Sequence, residues 1–258
     1  MLFPISDDNS DRVITPVVNY VLIAINIVVF IFLQGMGGND AFTYAFSTVP
    51  AEILTGKDIV TPAQLIVDQA TGQEFQVPGL GITPIHVYLT TITSMFMHGG
   101  WAHLIGNMLY LWIFGDNLEN KLGHTRYLLF YLLCGVLASL SHVFATYFTA
   151  QNSLIPSLGA SGAISGVLGA YMLLFPQRKV NMLFLFRIVF AVPAWVALGF
   201  WIGFQIISGL GVLGGGNDGV AYAAHIGGFI AGLLLIKFFD RQKNTGAPPE
   251  PFISIKRR

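Results

Sequence analysis

Six runs of mostly apolar residues, roughly 16–34, 99–118, 126–149, 159–176, 187–213 and 220–239, recur along the chain, separated by polar or Gly- and Pro-rich segments. A helix that crosses a bilayer needs about 20 predominantly apolar residues, and each run is close to that length. In hydrocarbon every backbone N–H and C=O must be paired inside the protein, so runs of this kind become helices packed in a bundle. Charge content agrees: 10% of the residues are charged and 54% apolar, against about 25% charged in soluble domains. A soluble role is excluded, and a net charge of zero supplies no basic field for nucleic acid. The expected fold class is therefore an all-α polytopic membrane protein with six spans.

Placement of the 13 Lys and Arg residues sets the orientation. Six spans put both termini and the loops 119–125 and 177–187 on one side. That side collects Arg12, Lys121, Arg126, Arg178, Lys179, Arg187, Lys237 and the five cations from Arg241 onward, and leaves Lys57 alone on the other. Cytoplasmic loops carry the excess of Lys and Arg, so both termini are expected to be cytoplasmic. The expected division is a cytoplasmic segment 1–15, a membrane domain 16–240 and a cytoplasmic tail 241–258. Asp7, Asp8 and Asp11 near the start argue against a secretory signal peptide. The expected location is a bacterial inner (plasma) membrane. The first external connection, 35–98, is far longer than usual. Within it Leu65-Ile66-Val67 and Glu74-Phe75-Gln76-Val77 read as two short strands about a turn at 68–73. This loop is either functional or a decoration. The one cysteine, Cys134, lies in an apolar run and reads as a small buried hydrophobe.

Polar side chains inside apolar runs need a partner or a role. Asn19, Asn26, His103, Asn107, His142, Ser161, Ser165, Gln205 and His225 stand out. His103 and Asn107, four apart, share one face of the second run. Asn is a poor zinc ligand and no Cys, Asp or Glu stands nearby, so no metal is expected there. Neutral donors of this kind suit a developing negative charge. Ser161 lies in Gly159-Ala160-Ser161-Gly162-Ala163-Ile164-Ser165-Gly166, whose small residues alone read most simply as a helix-packing motif. A helix from Ser161 to Pro176 would be only about 24 Å long, short of the about 30 Å hydrocarbon core. Its N-terminus is thus expected below the external surface, with free N–H groups that an oxyanion could use. His225 lies in Ala223-Ala224-His225-Ile226-Gly227-Gly228, and Ala224, Gly228 and Gly232 form a small-residue face. Two such faces, one with a serine and one with a histidine at similar depth, would bring the two groups within hydrogen-bond reach.

Four segments in order, His98-Gly-Gly-Trp-Ala-His103-Leu-Ile-Gly-Asn107, Phe114-Gly115 with Glu119-Asn-Lys-Leu-Gly123, Gly159-Ala-Ser161-Gly162 and Ala224-His225-Ile-Gly-Gly228, resemble the rhomboid family of intramembrane proteases. The match runs from about residue 90 to 238. The resemblance implies a rhomboid-like bundle of six transmembrane helices around a water-filled cavity open to the outside. It implies Ser161 as nucleophile and His225 as general base. His103, Asn107 and the Ser161 N–H would form the oxyanion site, His98 would hold polar groups near the mouth, and Glu119 looks structural. Leu89 and Thr90 stand where many members carry Trp-Arg, and Ser165 stands where some carry an aromatic under the histidine.

Asp218 and Asp240 flank the last run without being placed to orient His225, so a Ser–His dyad is expected, with packing holding the imidazole. The chemistry needs no cofactor. The expected partners are transmembrane protein substrates, single-span and with a locally non-helical backbone near the outer face, and the lipid bilayer; nothing in the sequence bears on oligomeric state. Phe200, Trp201 and Phe204 are candidates for a lateral gate, although such aromatics more often face lipid, and Gly214–Gly219 for a cap. A transporter would show paired charges at mid-span, which are missing. An inactive relative would have lost the serine or the histidine, and both are present.

Overall fold

The computed structural model describes residues 2–67, 74–149, 152–185, 187–211 and 220–240, and each of the six apolar runs contains one helix. The chain opens with a strand, β1 (Leu2–Asp7). Helix α1 (Val17–Val28) follows and passes without a break into a π-helical turn, Val29–Leu33. The long connection then folds into short pieces: α2 (Asp40–Ala45), α3 (Pro50–Thr55), strands β2 (Gln64–Val67) and β3 (Glu74–Val77), and α4 (Thr90–Thr93). β2 and β3 pair antiparallel, in keeping with the two short strands read at 65–67 and 74–77, and the turn between them, 68–73, lies outside the described residues.

Two long helices, α5 (Trp101–Leu122) and α6 (His124–Phe148), come next. Helix α7 (Ser161–Leu174) has only 14 residues, about 21 Å at about 1.5 Å per residue. Its residues Gly162 to Tyr171 are all buried. Protein surrounds this helix, so it does not need the length of a lipid-facing span. Two strands, β4 (Lys179–Phe184) and β5 (Ile188–Pro193), precede α8 (Ala194–Gly209), and α9 (Tyr222–Phe239) ends the described chain. α6 and α9 are long and apolar enough to cross a membrane on their own; α1 with its π turn, α7 and α8 are apolar but shorter.

Here the structure corrects the expected outline. The fifth run starts as a strand, not as a helix, because Ile188-Val-Phe-Ala-Val-Pro193 is rich in β-branched and aromatic residues. Pro193 caps α8 and blocks backward extension of the helix. β4 and β5 form a hairpin, and β1 adds to β4 in a three-stranded antiparallel sheet of order β1-β4-β5. Pro4 is tolerated because β1 is an edge strand. The helical bundle therefore carries two small sheets, and part of the segment 1–15 docks onto it. The tail from 241 lies outside the described residues.

The helices meet through glycine. A methyl group on Gly232 would lie 2.0 Å from the Gly166 carbonyl oxygen, one on Gly228 2.2 Å from that of Gly162, and one on Gly169 2.3 Å from that of Phe229. α7 and α9 are thus in backbone contact along their length. α6 completes the trio, with Ala138 Cβ 2.7 Å from the position a Gly162 methyl would take and Cys134 Cβ 2.4 Å from that of Gly166.

Polar side chains tie the bundle together at the end that holds the sheet. Glu119 of α5, fully buried, accepts hydrogen bonds from the N–H groups of Val18 at 2.9 Å and Asn19 at 2.7 Å. These are first-turn donors of α1 that lack intrahelical partners, and a negative charge there also suits the helix dipole. His124 Nδ1 lies 2.5 Å from the same carboxylate. Asn19 donates to the Leu111 carbonyl at 3.0 Å and accepts from Tyr127 Oη at 2.7 Å, joining α1, α5 and α6. Asp7 of β1 accepts from Asn117 Nδ2 at 2.7 Å and from Tyr171 Oη near the end of α7. Arg12 pairs with Asp116 at 2.9 Å and Lys121 with Asp240 at 3.5 Å.

Replacing Gly232 with Ala should push α7 and α9 apart and cost about 1–3 kcal/mol or more. The check is a thermal melt in detergent against Gly199→Ala, where a methyl meets nothing within 4 Å. A second expectation concerns pH. Burial, with Asp116 nearby, raises the Asp7 carboxyl from 3.8 to about 7 against the pull of Tyr171, Arg178 and Asn117. The folded state then favours the protonated form, so this contribution to stability is complete below about pH 4 and is lost as pH rises through about 7. Asp7→Asn should flatten the pH dependence of the thermal midpoint between pH 5 and 8.

Candidate functional site

Ser161 is the first residue of α7. The segment before it is pinned to the short pieces of the first connection. Thr48 and Ser157 form a two-way backbone bridge, and the Gly159 N–H donates to the Ser94 carbonyl at 2.9 Å. Thr48 Oγ1 in turn lies 3.0 Å from the Thr90 carbonyl and 2.9 Å from Ser94 Oγ. Gly159 has φ +125°, a value that side-chain-bearing residues rarely take, and a methyl there would lie 2.8 Å from His103 Cε1 and Nε2. Glycine at 159 therefore lets the imidazole of His103 approach the start of α7.

His225 lies on the first turn of α9, and its Nε2 is 2.8 Å from Ser161 Oγ. Its Nδ1 is 2.8 Å from Gln205 Oε1 on α8. Trp201, one turn before Gln205, lies with its ring 6.0 Å from the imidazole at 39°, and Tyr222 meets it edge-on at 6.5 Å. The aromatic neighbours of His225 thus come from α8 and α9. Ser165, where an aromatic is missing, returns its hydroxyl to the Ser161 carbonyl at 2.6 Å.

On α5, Asn107 Nδ2 lies 2.9 Å from His98 Nε2. An amide nitrogen only donates, so that imidazole nitrogen accepts. The backbone of His98 is clamped on both sides by Gln34, which follows the π turn: Oε1 accepts the His98 N–H at 2.9 Å and Nε2 donates to its carbonyl at 2.9 Å. His103 Nδ1 faces the Gly99 N–H at 3.4 Å, which leaves its Nε2 for the side toward Gly159. The His98 and His103 rings stand edge to face at 5.1 Å. Among the described residues no cluster of three or more His, Cys, Asp or Glu side chains assembles.

Ser161, His225, His103, Asn107 and His98 all line one cavity of about 1110 Å³ within the helices, together with His142 of α6 and Gln205. A smaller recess of about 20 Å³, lined by Ser94, Ser139, Ser157 and Gly162 among others, lies against Ser161. The arrangement offers a hydroxyl hydrogen-bonded to an imidazole, with neutral donors on the facing helix, in a sheltered space. Of the proposed gate aromatics, Trp201 lines the cavity, whereas Phe200 and Phe204 point outward, 67% and 48% exposed. The cap at 214–219 lies outside the described residues.

Two contributors were not assigned a part in the site from sequence. Gln205 stood out as a polar residue in a span, but its twenty-residue separation from His225 hid the contact. Its position one turn after Trp201 was the available signal. Packing is expected to hold the imidazole, and the structure adds a side-chain amide to the Trp201 and Tyr222 rings that pack against it. Gln34, at the edge of the first run, gave no signal of its clamp on His98.

A family model described as the Rhomboid domain matches residues 86–242, more than half of the chain. The chain is similar to the mitochondrial Rhomboid protein 1 of Saccharomyces cerevisiae, 38% identical over 148 residues, 57% of this chain and 40% of that one. Presenilin-associated rhomboid-like protein A, mitochondrial, of Danio rerio is 36% identical over 145 residues, 53% of this chain and 37% of that one. Rhomboid protease GluP of Bacillus subtilis is 34% identical over 144 residues, 55% of this chain and 24% of that one. The matches cover less than half the length of each of these relatives. The matched region takes in every residue placed around the cavity on α5, α7, α8 and α9, and by it the chain belongs to the rhomboid family and is a mostly helical integral membrane protein.

Proposed function

We propose that this protein is an intramembrane serine endopeptidase that cleaves single-span membrane proteins near the outer membrane face. One observation carries the proposal: the Ser161 hydroxyl and the His225 imidazole, from two helices packed backbone to backbone, meet at 2.8 Å in a cavity inside the bundle. The similarity to the Bacillus subtilis rhomboid protease supports the reaction class.

In the proposed cycle neutral His225 takes the Ser161 proton at Nε2 as Oγ attacks a peptide carbonyl. His103, Asn107 and the Ser161 N–H, a free donor at the start of α7, stabilise the tetrahedral oxyanion. His98 holds the Asn107 amide in place through its Nε2. His225 then protonates the leaving amine, and water hydrolyses the acyl-enzyme by the reverse steps. The substrate must arrive with non-helical backbone, since a helix hides its carbonyls in its own hydrogen bonds. The recess against Ser161, about 20 Å³, has room for a group no larger than about a water or a methyl beside the scissile bond.

The same reading takes all six apolar helices as spans, with 1–15 and 241–258 cytoplasmic and 16–240 as the membrane domain. The sheet end, with Arg12, Lys121, Arg178 and Lys179, faces the cytoplasm under the positive-inside rule. The matched relatives are mitochondrial and bacterial alike, so a bacterial inner membrane rests on the sequence reading alone.

The test is cleavage of a model single-span substrate in liposomes. Wild type should cut, and Ser161→Ala and His225→Ala should not; equal cleavage by all three would remove the proposal. His103→Ala or Asn107→Ala should slow the reaction about a hundred- to a thousand-fold, the usual cost of one oxyanion donor. Trp201→Ala should change the rate more than Phe204→Ala, because Trp201 lines the cavity and Phe204 faces outward.

A further inference from the structure

We infer that Gln205 is a positioning residue that selects the tautomer of His225, so that the working unit is the Ser161–His225 pair held by Gln205, not a bare dyad. The inference rests on the endopeptidase reading. Gln205 Oε1 lies 2.8 Å from Nδ1 of His225, while Nε2 of the same ring lies 2.8 Å from Ser161 Oγ. An amide oxygen only accepts, so Nδ1 carries the ring proton and Nε2 presents its lone pair to the serine O–H. With the proton on Nε2 instead, the imidazole could not accept the serine proton, and general-base action would stop.

The surroundings hold Gln205 to this task. It is 8% exposed, so bulk water competes little for Nδ1. Trp201, on the same face of α8, packs against the same ring and limits its rotation. The titratable groups facing His225 are His103 from α5, His142 from α6 and Tyr222 on its own helix, besides Ser161. Among the described residues no Asp or Glu hydrogen-bonds the imidazole. A neutral amide suits this depth, because an ionised carboxylate among apolar helices is costly. It fixes orientation without holding the ring in its charged form. During proton transfer the serine proton passes to Nε2, and the Nδ1 proton stays in its hydrogen bond to Oε1. The imidazolium is therefore formed with both N–H groups bonded.

The experiment compares wild type, Gln205→Leu and Gln205→Glu, with Ser161→Ala as the blank. The readouts are the pH profile of kcat/KM on a model single-span substrate and labelling of Ser161 by a serine-directed phosphonate probe. The ¹⁵N spectrum of the His225 imidazole, assigned by its loss in His225→Ala, is recorded alongside. Gln205→Leu should lower cleavage and labelling about 10- to 100-fold at an unchanged thermal midpoint, and should lose the Nδ1–H tautomer signal seen in wild type. Gln205→Glu should keep that tautomer, recover rate relative to Gln205→Leu, and move the acid limb of the profile to higher pH, because a carboxylate favours the imidazolium.

Labelling within twofold of wild type in a folded Gln205→Leu, or an equal loss in both variants with the acid limb unmoved, would overturn the inference. Should Gln205→Leu not fold, the limb position in Gln205→Glu decides. A Ser161→Ala protein that cleaves as fast as wild type overturns the endopeptidase reading. The tautomer signal is read without substrate and still tests the Gln205 contact.

Discussion

The backbone contact between α7 and α9 is the constraint on which the rest depends. In a membrane the hydrophobic effect offers little reason for one helix to prefer another over lipid, so close packing and polar contacts must hold helices together. A methyl at Gly169 on α7 or at Gly228 or Gly232 on α9 would collide with a carbonyl of the facing helix, and one at Gly162 or Gly166 with Ala138 or Cys134 of α6, so glycine permits this approach. That approach sets the distance and register between the helices. Since Ser161 starts one and His225 lies near the start of the other, their 2.8 Å contact follows from it. α6 supports the pair through Cys134 and Ala138, which makes the lone cysteine a packing element.

Around this trio the polar groups divide by position. At the sheet end they hold the bundle: Glu119 caps the start of α1 through Val18 and Asn19, and Asp7 ties β1 to α5 and α7. At the other end they shape the cavity. Gln34 fixes the His98 backbone, His98 receives the Asn107 amide, and Gln205 holds His225. In each case a residue from a neighbouring element orients the residue that faces the cavity. Precise placement of donors is what makes such groups effective in a sheltered site. The π turn before Gln34 fits this pattern, since such turns occur often near functional sites.

Much of the architecture was legible because the bilayer simplifies the code. A run of apolar residues becomes a helix, and a polar residue within it must be accounted for. That logic located the helices and isolated Ser161, His225, His103, Asn107 and Gln205 for scrutiny. It failed at Ile188–Pro193, where an apolar run of similar composition pairs as a strand. Periodicity cannot separate a short apolar strand from a stretch of buried helix, and β5 exists because β4 lies beside it. The sequence reading gives 1–15 only as a cytoplasmic segment, yet β1 finds its partner in β4, about 180 positions away, a pairing that no local signal encodes.

The sequence by itself determined which segments form apolar helices, which helices can touch without side chains between them, and which polar groups are too costly to be idle. These follow from residue chemistry and spacing along one helix. Only the tertiary structure decided what each polar group meets. Whether the imidazole nitrogen remote from Ser161 faces packing, a carboxylate or an amide depends on the rotation of α8 relative to α9. That rotation is set by packing across the whole bundle, and it turns Gln205, not the outward-facing Phe204, toward His225.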